Sequence, residues 1–252
     1  MKRRSREKVA DAAYKFVKKK TAKDPYVSVV VAAGGSSTRM CGVDKLFAEI
    51  SGIPVLAITL SALNSCRYVN EIILVTSEEN IIAASELCRR YAFTKVTKII
   101  KGGETRVQSV YNGVEEASRE AEIIAVHDGA RPFVTEKIIA GTVKAAAEYG
   151  AAAPFVPVKD TVKVGKGGFV SSTPDRSELF VIQTPQVFDS GLIKAALYNA
   201  IEKKLNITDD CSAVEAIGGT VKLVEGSYDN IKITTPEDLR IAEAIFNSEE
   251  RI

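Results

Sequence analysis

Arg39 and Lys45 stand six residues apart in AAGGSSTRMCGVDK, residues 32–45, directly after the apolar run VSVVV. Two cations bracketing a turn of small residues suit a polyphosphate. Small side chains let the backbone approach, main-chain N–H groups donate to oxygen, and fixed cations stabilise charge that grows at phosphorus during reaction. Neither of the two common phosphate-loop patterns is present. Lys45 follows Asp44 and precedes Leu46, so the GK[ST] ending of a P-loop is missing, and GGSSTR lacks the later glycines of GxGxxG. P-loop nucleotide hydrolysis and hydride transfer both lose their main support. Cys41 has no histidine beside it and does not read as a nucleophile.

Other stretches carry compatible chemistry. VHDGARPF (126–133) ends an apolar run with Asp128, which suits Mg²⁺, an ion that takes few carboxylates and fills its shell with phosphate oxygens; a plain turn residue is the alternative. His127 is the single histidine. A phosphate nucleophile is already largely anionic at neutral pH and needs no base, so His127 reads as structural. In KGGETRVQSVYNGV (101–114), Gly102 and Gly103 allow close contact with a flat base, and Ser109 can bond its edge; an ordinary helix entry with Thr105 as its cap is the alternative. Arg176 in DRSELFVIQTPQ (175–186) and Lys232 in DNIKITTPEDL (229–239) exceed what capping requires and can neutralise a second phosphate; solvated surface cations are the alternative. Thr208 or Asp209 can cap the helix that follows, and Thr235-Pro236-Glu237-Asp238 reads as a helix start.

These residues need a scaffold that brings distant turns to one edge. Five apolar, β-branched runs predict strands at 26–33, 71–77, 95–100, 122–128 and 151–158, with helical spacing around 54–65, 79–91, 106–118 and 135–149. Strands without polar alternation are buried on both faces, so the expectation is a three-layer α/β sandwich with a mainly parallel sheet and right-handed crossovers. Residues 159–183 alternate strand-like pieces with GKGG and TPD, and predict a hairpin arm that projects from the sheet. An exposed arm leaves strand edges to cover, which points to a homodimer. A helix at 189–203, a strand at 220–225 and a helix at 236–246 complete a domain expected to span 26–250.

Charge and composition narrow the function class. Residues 1–24 hold ten Lys/Arg against three Asp/Glu, leaving 24 basic and 29 acidic residues for the rest. The basicity belongs to an N-terminal extension, residues 1–25, which carries a short amphipathic helical pattern; the body offers no general nucleic-acid-binding surface. No apolar run is long enough to predict a membrane span, and the N-terminus lacks the apolar core of a secretory signal. Four cysteines without CxxC pairs or a histidine cluster disfavour zinc and suit a reducing cytosol, so a cytoplasmic location is expected.

In order along residues 27–246, AAGGSSTRMCGVDK, GGETRVQS, HDGARPF, KDTVK, QTPQ, TDD and DNIKITTPEDL resemble the 2-C-methyl-D-erythritol 4-phosphate cytidylyltransferase family. The resemblance implies a Rossmann-like nucleotidyltransferase sandwich with a dimerising arm, CTP as co-substrate and Mg²⁺ as cofactor. It implies attack of the methylerythritol phosphate on the α-phosphate of CTP, with release of pyrophosphate. Arg39, Lys45, Arg176 and Lys232 would be catalytic, and Asp128 would bind the metal at the triphosphate. Ala32, Ala33, Gly34, Gly103, Glu104 and Ser109 would surround cytidine. Arg131, Thr161, Arg176, Thr184 and Lys232 would hold the sugar phosphate, with Thr161 and Arg176 on the arm and able to reach a partner's site. The loop departs from the family pattern by one extra residue before Arg39 and by Asp44 in place of proline; Lys45 stays in register. A ribitol 5-phosphate cytidylyltransferase and an inactive nucleotide-binding module are the alternatives.

Overall fold

A computed structural model describes residues 24–34 and 45–248. Arg39 and the basic extension, apart from Asp24 and Pro25, lie outside the described residues. The strands are β1 (Val27–Ala33), β2 (Glu49–Ile50), β3 (Ile53–Pro54), β4 (Glu71–Thr76), β5 (Val96–Lys101), β6 (Ile123–Asp128), β7 (Ala151–Pro157), β8 (Val164–Lys166), β9 (Phe169–Ser172), β10 (Phe180–Ile182), β11 (Gln186–Asp189) and β12 (Lys222–Glu225). The helices are α1 (Val55–Ser65), α2 (Ile81–Arg90), α3 (Arg106–Glu115), α4 (Glu136–Tyr149), α5 (Ser190–Glu202), α6 (Asp210–Ala216) and α7 (Pro236–Phe246).

The central sheet runs β10-β7-β11-β6-β1-β4-β5, with β12 added on β7. β1 pairs in parallel with β4 and β6, β4 with β5, and β12 with β7; β10 and β11 run antiparallel to their neighbours. The pleat sends alternate residues to opposite faces. Val27, Val29, Val31, Ile72, Leu74, Ile123 and Ala125 meet buried residues of α1, α2, α4 and α7. Val30, Ile73, Val75, Ile124 and Val126 meet those of α3, α5 and α6. Both faces of β1, β4 and β6 are covered, so their apolar runs lack polar alternation, as the sequence predicts; β5, expected to be buried in the same way, is the edge strand and has no buried residue.

Two elements depart from expectation. The arm spans less than 159–183: its hairpin is β8–β9, turned by Gly167 and Gly168 at φ +60° and +84°, and the chain is back in the main sheet at Phe180. Two successive positive φ angles are what a two-residue hairpin turn requires and what glycine supplies. The second departure is β11, an antiparallel strand wedged between β6 and β7 that the polar ends of QVFD conceal. From Ile182 to Val187 this strand advances five residues while β7 advances three, from Phe155 to Ala152. The surplus bulges at Gln183–Pro185 and buries Gln183 and Thr184 beside the end of β6. Among the described residues, no helix is long and apolar enough to cross a membrane.

Candidate active site

Parallel strands end on one edge, and the turns that leave them there form a row. Gly129 N donates to Ala32 O (2.9 Å), Thr76 Oγ1 to Ala33 O (3.0 Å) and Gly102 N to Thr76 O (2.8 Å). Ala32, Ala33, Gly34, Asp128 and Gly103 are thereby brought to a common edge. Gly103 admits no side chain, since a Cβ would lie 2.1 Å from Gln108 Cγ. Its N–H donates to Ser109 Oγ (3.0 Å), whose hydroxyl donates to Thr105 O (2.9 Å). Thr105 caps α3 by accepting from Gln108 N (3.1 Å). Ser109 therefore stiffens the turn expected to meet the base, and Glu104 is exposed on it.

Asp128 ends β6 and is nearly buried. Its Oδ2 lies 3.0 Å from Lys232 Nζ and 3.3 Å from Arg131 Nε, and its Oδ1 is 4.0 Å from Arg106 Nη2. Burial would raise the carboxyl pKa, but Lys232, Arg131 and Arg106 outweigh it and bring it down to about 2. Chain segment 230–233 is stitched to the turn after β6: Arg131 Nη1 donates to Asn230 O (2.7 Å) and Ile233 N to Ala130 O (2.8 Å). Ile233 is fully buried, which anchors Lys232 beside the carboxylate.

His127 and Thr184 lie behind this cluster. His127 is fully buried, and burial lowers its pKa to about 4 against the opposing charge of Asp128. Its Nε2 is 3.2 Å from the carbonyl of Arg131, an atom that only accepts, so Nε2 carries the proton. Nδ1 then accepts from the Thr184 hydroxyl (3.0 Å), and Thr184 Oγ1 accepts from Asp128 N (3.1 Å). The structural reading of His127 fits this network. Thr184, expected at the sugar phosphate, has its hydroxyl committed inside the fold and is 4% exposed, so it orients Asp128 and His127 instead.

The described residues also hold an arginine–carboxylate pair that the motifs did not assign. Arg106 Nη1 and Nη2 donate to Asp210 Oδ1 and Oδ2 at 3.0 and 2.7 Å. Burial acts to lower the Arg106 pKa, but the charge and hydrogen bonds of Asp210 prevail and raise it. One signal was available. Asp209 caps α6 by accepting from Ser212 N (2.9 Å), which leaves the second aspartate of TDD without a local task. Around Asp128 the cations outnumber the carboxylates, as an anion site requires.

Lys45 precedes Leu46, which is buried and whose carbonyl accepts from Leu56 N (2.9 Å) at the start of α1. Thr161 and Arg176 lie in the segment between β7 and β10. Both are exposed on the arm, Arg176 Nη1 donates to Lys159 O (2.8 Å), and neither bonds to the Asp128 cluster among the described residues. Among the described residues no group of three or more His, Cys, Asp or Glu side chains converges on a metal. Asp128 alone, held ionised with Oδ1 only loosely engaged, fits the donor chemistry of Mg²⁺, which needs one or two carboxylates beside substrate phosphates.

The sequence profile of the IspD family, 2-C-methyl-D-erythritol 4-phosphate cytidylyltransferase, matches residues 27–248. A protein of that name from Caldanaerobacter subterraneus subsp. tengcongensis is 49% identical over 220 residues, 86% of this chain and 97% of the relative. Its namesake from Halalkalibacterium halodurans is 44% identical over 225 residues, 89% of this chain and 98% of the relative. The crystal structure of 4-diphosphocytidyl-2C-methyl-D-erythritol synthase from Anaerococcus prevotii superposes with a TM-score of 0.78 at 32% identity, covering 88% of this chain and 96% of that one. The 2-C-methyl-D-erythritol 4-phosphate cytidylyltransferase of Thermus thermophilus gives 0.74 at 33% identity, covering 87% and 98%.

Proposed function

The chain belongs to the 2-C-methyl-D-erythritol 4-phosphate cytidylyltransferase family, and from that premise we infer how its side chains divide the reaction. The enzyme transfers CMP from CTP to 2-C-methyl-D-erythritol 4-phosphate, giving 4-diphosphocytidyl-2-C-methyl-D-erythritol and pyrophosphate. A phosphate oxygen of the sugar phosphate attacks the α-phosphorus of CTP. The bond from that phosphorus to the bridging oxygen breaks, and pyrophosphate leaves with the electron pair. The attacking phosphate is largely dianionic at neutral pH, so no side chain has to take a proton. This leaves the protein the work of holding two polyanions in line and neutralising charge at the α-phosphate.

The observation that carries the assignment is the ring of cations at Asp128, where Lys232 stands 3.0 Å and Arg131 3.3 Å from one carboxylate oxygen. Lys232 and Arg131 receive the sugar phosphate. Lys45 and Arg39, from the loop after β1, stabilise the α-phosphate. Ala32, Ala33, Gly34, Gly103, Glu104 and Ser109 border cytidine. Asp128 would hold Mg²⁺, which when bound would neutralise charge on the triphosphate. Thr161 and Arg176 serve the site of a second subunit in a homodimer; their exposure, with no bond from either to the Asp128 cluster among the described residues, supports this reading. The free cysteines among the described residues suit the cytoplasm.

Pyrophosphate release from CTP tests the reading, with 2-C-methyl-D-erythritol 4-phosphate and ribitol 5-phosphate supplied in turn. Release with the first substrate and Mg²⁺ is expected. Release with ribitol 5-phosphate alone overturns the substrate assignment.

A further inference from the structure

Arg106 is the first residue of α3, where the helix dipole and unpaired N–H groups disfavour a cation. It is held there against local preference by Asp210, a fully buried carboxylate 104 positions along the chain. Both oxygens of Asp210 face the two Nη atoms of the guanidinium in a fork, at 3.0 and 2.7 Å. Asp210 is fixed in turn: its N–H and that of Cys211 donate to Gln186 Oε1, each at 3.0 Å, and Gln186 Nε2 donates to Asp209 Oδ2 (2.8 Å). Gln186 is itself buried, at the start of β11.

A buried ion pair rarely repays its desolvation in stability, so its presence in this place asks for another reason. The guanidinium supplies one. Its side chain remains 35% exposed, and Nη2 stands 4.0 Å from Asp128 Oδ1. An arginine has five N–H donors, and the fork to Asp210 uses two of them. We propose that Arg106 is a further phosphate-binding residue of the CTP site and that Asp210 is the positioning residue that aims it. The inference rests on the assignment of Asp128 to the triphosphate. A non-bridging phosphate oxygen brought to Asp128 then falls beside a guanidinium that is already oriented, so little side-chain freedom is lost on binding.

The test is steady-state kinetics of the full-length enzyme with CTP varied, on Arg106→Gln, Arg106→Lys, Asp210→Asn and the Arg106→Gln/Asp210→Asn pair. Arg106→Gln lowers kcat/KM for CTP by about 10²-fold. Asp210→Asn lowers it by about tenfold through misplacement, with KM for the sugar phosphate unchanged. The pair is no worse than Arg106→Gln alone, because Asp210 acts only through Arg106. It also removes both charges together, so no unpaired buried ion is left to unfold it. Arg106→Lys, which keeps the charge and loses the fork, gives an intermediate loss at unchanged thermal midpoint. Equal losses from Asp210→Asn with and without Arg106, or CTP kinetics within about twofold of wild type in Arg106→Lys and in the pair, overturn the proposal. Turnover by the wild type reports on the parent assignment separately.

Discussion

Two buried carboxylates sit at opposite edges of the same sheet, and they are satisfied in opposite ways. Glu71 begins β4 at the edge where parallel strands start. Its Oε2 accepts from Ser28 Oγ (2.6 Å) and Ser118 N (2.9 Å), and its Oε1 from Thr97 Oγ1 (2.9 Å). Every one of those donors is neutral. Asp128 ends β6 at the other edge, and its neighbours are Lys232, Arg131 and Arg106. Neutral donors meet the hydrogen-bonding needs of a carboxylate and ask nothing more. Cations in excess do something different: they hold charge in place for a ligand, with the carboxylate as their resident partner. Burial alone does not distinguish the two, since both are below a tenth exposed.

The most severe way to test that contrast is to change each carboxylate to its amide. Asp128→Asn puts an NH₂ group among side chains that can only donate, and leaves their charge unbalanced. We expect kcat/KM for CTP to fall by about 10²–10³-fold. Lys45→Ala is expected to fall in the same range through kcat, with CTP affinity little changed, because its contact strengthens as charge builds at the α-phosphate. Near-normal turnover in either variant, measured by pyrophosphate release, breaks the functional side of the comparison.

The arm offers a third setting, in which Arg176 has no carboxylate partner among the described residues. Arg176 is exposed, and among the described residues its guanidinium bonds to a backbone carbonyl, that of Lys159. If it completes a second subunit's site, Arg176→Ala and Lys232→Ala are each nearly inactive, yet mixing them equally restores about a quarter of wild-type activity. Half of the dimers are then mixed, and each has one site free of both lesions. No recovery after co-refolding assigns Arg176 to its own chain's site.

Much of this was legible because it is periodic or local. The β-branched runs gave both-face burial for β1, β4 and β6, though not for the edge strand β5, and the resemblance carried by HDGARPF and DNIKITTPEDL named Asp128, Arg131 and Lys232, whose side chains the fold sets together. What was missed is nonlocal. Arg106 and Asp210 lie far apart in sequence, and each has a bland reading as a helix-end residue until the fold joins them. Thr184 carries a motif position but spends its hydroxyl on His127 and Asp128, which spacing cannot reveal. β11 escaped because a short antiparallel strand bounded by Gln186 and Asp189 shows neither apolar continuity nor a helix-length crossover.

His127 separates the two edges by pH. Burial lowers its pKa to about 4 from the ordinary 6.5 or so. Between those values the unfolded chain binds a proton that the native one refuses, so stability rises with pH across the window and is lost as pH falls. From about pH 7 to about pH 5 the loss is about 2 kcal/mol. Urea midpoints at both pH values check it: His127→Gln abolishes that increment, and an equal acid loss in wild type and variant removes His127 as its cause.

The smallest effect is the sharpest test of what neutral donors mean at Glu71. In Glu71→Gln the amide oxygen can take the place of Oε2, still accepting from Ser28 Oγ and Ser118 N. The NH₂ group then faces Thr97, whose hydroxyl can turn and accept instead of donating. No buried group is orphaned, and only the extra strength of charged hydrogen bonds is lost, about 1 kcal/mol. Denaturant unfolding should show that modest shift with kcat/KM unchanged. Glu71→Ala should cost about 3 kcal/mol, because the buried Ser28 hydroxyl and the partly buried Ser118 N–H lose their acceptor. If Glu71→Gln instead damages turnover as Asp128→Asn does, the two edges of the sheet are coupled, and the division between a carboxylate that completes the fold and one that assembles a site does not hold.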